Sequence, residues 1–266
     1  MHLSALYRFP LKSAKAESLS RSPVDKLGLG GDRRWMLVDA SGRFLSQRAL
    51  PQMSQLSALY NAAGGLRLAA QGLPTLDVEL PDAGAELRGV TVWSDTLRVP
   101  DAGDVAAAWV SRFLGKPTRL VHVPPERARR LGSAYGGDDD RVAFADGFPL
   151  LLIGEASLQD LSARVGRPLE MLRFRPNLVV QGAQAFAEDG WKRIRIGDVQ
   201  FRVAAPCARC ILTTIDPQTG QRSSDREPLT TLKTYRTQDG NVMFGQNLIS
   251  DGAGEIEVGM PVTVLE

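Results

Sequence analysis

The stretch RIRIGDVQFRV, residues 193–203, limits the possible folds more than any other part of the chain. Apolar and polar residues alternate on both sides of Gly197 and Asp198, which is the pattern of two half-buried strands joined by a tight turn. We expect the isoleucines before the turn to face the apolar residues after it across a hairpin. This hairpin leads directly into PCARC, residues 206–210, which holds both cysteines.

Short strand-like runs elsewhere predict a mixed, predominantly β fold of the α+β class with a few short helices. Residues 1 to about 100 consist mainly of such runs separated by Gly, Pro and Asp, a pattern typical of a barrel or sandwich. The runs NVMFGQNLI, GEIEVG and PVTVLE close the chain as strands. ILTTID, residues 211–216, is rich in β-branched residues and is also expected to be a strand.

Helical patterns interrupt the strands in three places. In DVAAAWVSRFLG the side chains of Val105, Trp109, Val110 and Phe113 recur on one face, as in an amphipathic helix. EASLQDLSARVG follows the buried strand PLLLIG and ends at a glycine, and EPLTTLKTYR carries Pro228 in its first turn.

Residues 125–141, PERARRLGSAYGGDDDR, contain no apolar period and mix Arg, Gly and Asp. Charge runs are usually solvated, and we interpret this one as a mobile loop between two halves of the chain. The predicted domains are residues 1–124, a β-rich N-terminal domain with a helix, and residues 125–266.

Composition excludes several classes of protein. The 32 Lys and Arg against 30 Asp and Glu leave a net charge of +2, which argues against nucleic acid as the main partner. The chain starts with MHLSALYRFPLKS, which lacks the features of a secretory signal, and no run of about twenty apolar residues follows. Two cysteines so close together cannot staple a secreted fold. We therefore expect a soluble, cytoplasmic protein with no membrane partner.

Cys207 and Cys210 could belong to half a zinc site, a dithiol redox pair, or a loop that offers one thiolate to another soft metal. A structural zinc site needs four N or S ligands, and the chain adds only His2 and His122, the latter expected to be a structural strand residue. A thioredoxin-like pair starts a helix, whereas this pair precedes an expected strand. There remains a loop at a strand end with Arg209 between the thiols, where a cation favours the ionised form of a thiol.

Several segments, in this order and spacing, resemble the MOSC domain: FRPNLVV, WKRIRIGDVQF, PCARCILTTIDPQTG, EPLTTLKTYR and FGQNLI. With FPLKS and LGLGGDRRWMLVD near the N-terminus, the whole chain is similar to molybdenum-dependent reductases of N-hydroxylated compounds. That family includes the mitochondrial amidoxime-reducing component and bacterial reductases that detoxify N-hydroxylated base analogues. The resemblance implies a β-barrel-like MOSC domain in residues 125–266 and a smaller MOSC N-terminal β domain in residues 1–124.

The same resemblance implies a site. Cys210 would bind the molybdenum of a molybdopterin cofactor directly, and a pocket carboxylate, Asp146, would serve as a proton relay or substrate anchor. From the residues alone, Asp146 is equally well a turn-forming residue before Gly147, and Cys207 is either a buried small hydrophobe or a group with a redox or substrate role. The implied cofactor contacts besides Cys210 are Lys12, Ser13, Arg33, Asp146, Gly147, Phe148, Arg175, Asn177, Ala208, Arg209 and Asn247.

The reaction implied is reductive removal of an N-bound hydroxyl group: R-NHOH with two electrons and two protons gives R-NH2 and water. Two cysteines cannot hold an iron-sulfur cluster, so we expect a separate electron donor, namely a ferredoxin, a cytochrome b5-type protein or a flavoprotein reductase. An alternative is a non-catalytic carrier or delivery protein for molybdenum cofactor or sulfur. The weakest alternative is a zinc-stabilised nucleic-acid module that uses RARR, residues 127–130.

Overall fold

The computed structural model describes residues 1–132 and 135–266. Within these ranges the helices are α1 (Gly103–Leu114), α2 (Glu155–Val165) and α3 (Leu229–Tyr235). The strands are β1 (His2–Arg8), β2 (Glu17–Leu19), β3 (Arg21–Asp25), β4 (Gly28–Leu29), β5 (Trp35–Val38), β6 (Ser57–Tyr60), β7 (Leu66–Ala69), β8 (Leu76–Val78), β9 (Leu87–Val92), β10 (Asp95–Pro100), β11 (Arg119–His122), β12 (Arg129–Arg130), β13 (Arg141–Val142), β14 (Leu150–Gly154), β15 (Leu178–Gln181), β16 (Arg193–Ile196), β17 (Val199–Arg209), β18 (Thr237–Gln238), β19 (Asn241–Ser250), β20 (Gly254–Glu257) and β21 (Val262–Val264). The predicted predominance of strands with a few short helices is confirmed.

The largest sheet contains strands from both ends of the chain. Its order is β2-β1-β15-β14-β19-β17-β16-β21, and β18 pairs with β19 beside this path. Neighbouring strands are antiparallel except β14 and β15, which are parallel. The backbone N–H of Leu3 in β1 also donates to the carbonyl of Met260, at 2.9 Å, just before β21. The sheet therefore curls like a barrel, although among the described residues its strands do not form a continuous ring.

The hairpin predicted from the alternating sequence is present. Ile194 of β16 pairs with Phe201 of β17, and Ile196 pairs with Val199. All four side chains are buried in the core beneath the large sheet. Because β17 continues along β19 as far as Arg209, the hairpin carries the cysteine stretch to the edge of the main cavity.

Helix α1 is present, but its buried face differs from the predicted one. Val105 is 72% exposed, whereas Trp109 and Val110 are buried in the core of the N-terminal half. The apolar stripe begins instead at Ala106, one residue later, and continues through Leu114. A shift of one residue turns a helical position by about 100°, which is enough to move Val105 from the core to the surface.

ILTTID is not a strand, and this prediction is wrong. Residues Ile211–Thr214 form a turn of 3-10 helix. The hydroxyl of Thr213 donates to the carbonyl of Cys210 at 3.0 Å, and that of Thr214 donates to the carbonyl of Ile211 at 2.7 Å. Such local side-chain hydrogen bonds compete with strand pairing, so β-branched residues here stabilise a turn.

In the stretch 125–141, Ser133 and Ala134 lie outside the described residues, and the rest is more ordered than a mobile loop. β12 pairs with β13, and the Arg129 guanidinium is buried, donating to the carbonyl of Ala143 and to Asp95. Residues 125–141 are therefore not solvated throughout, because the charge of Arg129 is hydrogen-bonded within the protein. The domain boundary at residue 124 stays a prediction.

Within the ranges that the structure describes, no helix has the length and apolar character needed to cross a membrane.

Candidate active site

A cavity of about 780 Å³, including the part that opens to solvent, brings together residues from both halves of the chain. It is lined by every residue assigned to the site from the sequence: Lys12, Ser13, Arg33, Asp146, Gly147, Phe148, Arg175, Asn177, Ala208, Arg209, Cys210 and Asn247. Residues not predicted from the sequence also line it, and they include Arg48, Leu151, Phe174, Cys207, Leu212 and Thr213.

Cys210 follows the last residue of β17, where the chain leaves the sheet for the 3-10 turn. Its half-buried sulfur accepts a hydrogen bond from Nε of Arg48 at 3.2 Å. The cation expected beside this thiol, Arg209, instead donates from Nη1 to the sulfur of Cys207 at 2.9 Å. Side chains two residues apart on a strand share a face, so Arg209 lies on the side of Cys207 rather than that of Cys210.

Cys207 is half-buried and packs against a cluster that contains Phe244 and Leu232. Its neighbour Arg209 donates a second hydrogen bond to the carbonyl of Phe174, at 2.6 Å. The two cysteines thus have different surroundings, although they belong to the same short stretch. The role of Cys207 stays a prediction.

Lys12, Asp146 and Arg48 form a charged network across the cavity wall. The Lys12 ammonium is almost fully buried and donates to the carbonyl of Phe144, at 2.7 Å, and to one oxygen of Asp146. Arg48 donates from Nη2 to the other carboxylate oxygen, at 2.8 Å. Burial lowers the pKa of Lys12 to about 8 in spite of Asp146. Burial would raise the pKa of Asp146, but the charges of Lys12 and Arg48 outweigh it and hold that pKa well below its ordinary value.

The lowered pKa of Lys12 makes the stability of the protein depend on pH. In the unfolded chain its pKa is the ordinary 10.5, against about 8 in the folded protein. Between these values the unfolded chain binds more protons, so the free energy of unfolding rises with pH in this window. We expect Lys12 to contribute a rise of about 3 kcal/mol, since one pKa unit corresponds to about 1.4 kcal/mol.

Urea denaturation of protein produced without cofactor, at about pH 7.5 and about pH 10, measures this rise. The wild-type chain should gain about 2 kcal/mol relative to Lys12→Met over that interval, which covers most of the Lys12 rise, because other titrating groups are common to both chains. If the free energy of unfolding changed with pH in the same way in both chains, the lowered pKa of Lys12 would be contradicted.

Two arginines that line the cavity stand over the ring of Phe9. The guanidinium carbon of Arg33 lies 4.5 Å from the ring centre, and that of Arg175 lies 4.1 Å from it. Both residues have a positive φ, 47° for Arg33 and 56° for Arg175, which is uncommon for residues other than glycine. Like charges held so close, in a backbone conformation of higher energy, are typical of a binding site rather than of a core.

Asn177 is fully buried and holds Arg33 in place. Its Oδ1 accepts from Nη1 of Arg33 at 3.1 Å and from the backbone N–H of Leu151 at 3.2 Å. Its Nδ2 donates to the carbonyl of Tyr7 at 3.1 Å. The side-chain amide is therefore engaged within the protein, and its clearest contribution is to orient the Arg33 guanidinium.

The cavity carries more positive than negative charge, and not all of its donors are satisfied. Nη1 of Arg175 donates to the carbonyl of Ala14 at 2.8 Å, but its buried Nη2 has no hydrogen-bond partner in the described part of the chain, and the same is true of Nε of Arg209. Burial and the charge of Arg33 lower the pKa of Arg175. Unpaired buried cations are costly, so this cavity suits an anionic ligand. A cofactor that carries a phosphate and a thiol-binding metal would supply an anion for these arginines and a metal for the sulfur of Cys210.

The other predicted contacts lie around the opening. Ser13 adopts a positive φ of 67°, and its carbonyl accepts from Nε2 of Gln47 at 2.9 Å. Phe148 packs edge-on against Tyr135, with ring centres 5.4 Å apart. Nδ2 of Asn247 donates to the carbonyl of Pro206 at 3.3 Å. The contact between Asn247 and Pro206 joins β19 to β17 beside the cavity.

His122 is a structural residue of β11, as expected from the sequence. Its ring packs on Trp35, with ring centres 4.7 Å apart, and burial lowers its pKa to about 4. In the residues described, no three His, Cys, Asp or Glu side chains cluster as a metal site built from protein ligands alone would require. The cavity thus offers the sulfurs of Cys207 and Cys210 and the carboxylate of Asp146 among several cations.

Two family models match most of the chain. The description "MOSC N-terminal beta barrel domain" matches residues 1–117, and "MOSC domain" matches residues 139–263. The chain is 36% identical to mitochondrial amidoxime-reducing component 1 of Mus musculus and 33% identical to that of Homo sapiens, in each case over 99% of this chain and 82% of the relative. It is also 31% identical to the molybdenum cofactor sulfurase of Oryza sativa subsp. japonica, over 92% of this chain and 32% of the sulfurase.

The names of the amidoxime-reducing relatives contradict the cytoplasmic location expected from the sequence, because they point to mitochondria. That expectation rested on the lack of a secretory signal and of a long apolar run. These features distinguish secreted and membrane-spanning proteins, but they do not separate one intracellular compartment from another.

Proposed function

The chain belongs to the MOSC-domain family of amidoxime-reducing components, and on that premise we propose that it is a molybdenum-cofactor-dependent reductase of N-hydroxylated compounds. Its substrates are small hydroxylamines, amidoximes or N-hydroxylated base analogues, which it converts to amines or amidines. The observation that carries this proposal is the thiol of Cys210 in a cavity that is also lined by Lys12, Arg33 and Arg175.

The residues of the cavity divide into a metal ligand and anion-binding groups. Cys210 would hold the molybdenum, because a soft thiolate suits a metal that changes oxidation state. Lys12, Arg33, Arg175 and Arg209 would hold the charged parts of the cofactor through charge-assisted hydrogen bonds. When bound, the molybdenum cofactor supplies the two-electron chemistry, while the protein provides binding, orientation and electrostatics.

The reaction also consumes two protons, and the network around Lys12 is a place in the cavity that can hold one. At neutral pH the Lys12 ammonium keeps its proton, since its pKa is about 8. Asp146 is ionised under the same conditions, because Lys12 and Arg48 hold its pKa low. Of the two roles considered for Asp146, this favours an anchor that orients Lys12 and the substrate over a direct proton donor.

Asp146→Asn is expected to lower benzamidoxime turnover about 100-fold, the cost of misplacing groups near the reacting centre by about 1 Å, while molybdenum content stays close to that of the wild type. The amide removes the negative charge that holds both Lys12 and Arg48. Steady-state kinetics beside elemental analysis checks this, with Asp77→Asn as the control, since Asp77 forms an exposed pair with Arg67 away from the cavity. Unchanged turnover at full molybdenum content would remove Asp146 from the mechanism.

Electrons would come from a separate donor protein, such as a ferredoxin, a cytochrome b5-type protein or a flavoprotein reductase. The chain has two cysteines, fewer than the four that an iron-sulfur cluster needs. A role in detoxification of N-hydroxylated compounds follows if such a donor sustains turnover. Adding each class of donor to the loaded protein, in place of a chemical reductant, identifies the one that supports multiple turnovers.

The proposed activity is tested by benzamidoxime reduction. Protein from a host that makes molybdenum cofactor is supplied with a chemical reductant, and benzamidine is quantified by chromatography. Protein from a host that lacks the cofactor is the control. Multiple turnovers only in the loaded protein support the enzyme, and a loaded protein that makes no benzamidine contradicts it.

A carrier of molybdenum cofactor or sulfur is the second candidate, because part of a molybdenum cofactor sulfurase is similar to nearly all of this chain. A sulfur carrier would hold a persulfide on Cys210, and either kind of carrier would release its sulfur or cofactor without reducing benzamidoxime. Mass spectrometry of the intact chain distinguishes the two, since a persulfide adds one sulfur atom to Cys210.

A further inference from the structure

Among the described residues, Arg48 is the one whose guanidinium contacts both the Cys210 thiol and the Asp146 carboxylate. Its Nε donates to the sulfur of Cys210 at 3.2 Å, and its Nη2 donates to Asp146 at 2.8 Å. Arg48 comes from the N-terminal half of the chain, whereas Cys210 follows β17 in the C-terminal half. One planar group thus links the thiol of Cys210 to the carboxylate of Asp146.

The position of Arg48 is fixed by a stacking contact of its guanidinium and by a hydrogen bond to its backbone. Its carbon lies 4.7 Å from the centre of the Trp93 ring, and that ring packs on Phe44 with centres 5.0 Å apart. The backbone carbonyl of Arg48 accepts a hydrogen bond from Arg222. An arginine that stacks on an aromatic ring and uses its donors in two directions has little freedom left, so the direction of Nε toward the sulfur is well defined.

A hydrogen bond to a thiolate changes what that thiolate does as a metal ligand. The donor withdraws electron density from the sulfur, and the sulfur then stabilises the oxidised metal less. Outer residues of this kind also fix the direction in which a ligand points. A positively charged donor has the larger effect, because its field favours addition of an electron at the metal.

We propose that Arg48 is a positioning residue that holds the Cys210 sulfur in place and raises the reduction potential of the metal bound there. This inference rests on the proposed function, since it needs molybdenum on Cys210. Asp146 and Trp93 support Arg48 from either side. The reduction potential of the metal would then depend on Arg48, which lies outside the PCARC stretch.

The test compares Arg48→Gln, which removes the charge, with Arg48→Lys, which keeps it. Trp93→Leu tests the same inference in another way, because it removes the ring on which Arg48 stacks without altering any group that contacts Cys210. Arg67→Gln, at an exposed pair remote from the cavity, is the control. For each purified, loaded protein, molybdenum content is measured by elemental analysis and the midpoint potential of the molybdenum centre by mediated redox titration.

We expect the midpoint potential to become more negative in Arg48→Gln, to shift less in Arg48→Lys and Trp93→Leu, and to stay unchanged in Arg67→Gln. The kcat for benzamidoxime should fall about 10- to 100-fold in Arg48→Gln, the usual cost of losing an outer-shell partner of a metal ligand, with a smaller change in KM. If Arg48→Gln retains too little molybdenum for a redox titration, the midpoint potential of Trp93→Leu tests the inference instead.

A wild-type potential in variants that bind molybdenum fully would overturn the inference and leave the proposed function intact. Wild-type protein without molybdenum, in contrast, would overturn the proposed function itself. The two failures are therefore distinguishable in one set of preparations.

Discussion

Cys210→Ala is expected to lower benzamidoxime turnover by more than about 100-fold, beyond the usual cost of changing an outer-shell partner of a metal ligand. Among the described residues, the sulfur of Cys210 is the one thiol that Arg48 contacts, and it lies at the cavity edge beside the carboxylate network. Its loss removes the soft ligand that we assign to the metal. Steady-state kinetics with a chemical reductant measures the effect without depending on the natural donor.

Cys207→Ala is the matched control for that prediction. Cys207 belongs to the same stretch, but its sulfur accepts from Arg209 and packs against the apolar cluster around Phe244. We expect this variant to keep its molybdenum and most of its turnover, with a modest loss of stability. Equal losses in both variants would show that the cysteine stretch acts as a structural loop and would contradict the assignment of Cys210 as the metal ligand.

Arg175→Met is expected to affect cofactor binding and stability in opposite directions. The guanidinium is buried, its Nη2 has no partner among the described residues, and burial together with Arg33 lowers its pKa. An arginine that pairs with an anion contributes about 1.5–3 kcal/mol, so cofactor retention should fall about 10- to 100-fold. The cofactor-free protein should resist urea as well as the wild type or better, because a poorly compensated buried charge is gone.

Two further variants sharpen this prediction. Arg175→Lys keeps the charge and should retain more cofactor than Arg175→Met. Arg167→Met removes an exposed arginine that pairs with Asp225, and it should change neither property by much. Arg175→Met protein that binds a full complement of molybdenum would exclude Arg175 from the cofactor site.

Local pattern predicted the parts of the fold that depend on neighbours in sequence. The hairpin around Gly197 is set by strict alternation and a tight turn, and β16 and β17 pair in the expected register. The prediction of a strand failed where local side-chain hydrogen bonds compete with strand pairing. In ILTTID the threonine hydroxyls bond to nearby carbonyls and stabilise a 3-10 turn, although β-branched residues favour strands.

The family resemblance predicted residues that the fold brings to one cavity, but it did not predict the contacts between them. Arg209 stands between the cysteines in sequence, yet strand alternation directs it to Cys207. The cation beside Cys210 is Arg48, which is 162 residues away in sequence and belongs to no motif. Arg48 reaches the end of β17 only in the folded chain. No periodicity or spacing in the sequence could therefore have predicted its contact with Cys210.

The measurement that tests the molybdenum assignment most directly is elemental analysis of protein purified from a host that makes molybdenum cofactor, beside Cys210→Ala prepared in the same way. We predict close to one molybdenum atom per wild-type chain, with release of the pterin on denaturation, and a large loss of molybdenum in the variant. Zinc, or no metal, in both preparations would contradict the assignment and would return PCARC to the role of a structural loop or a sulfur carrier.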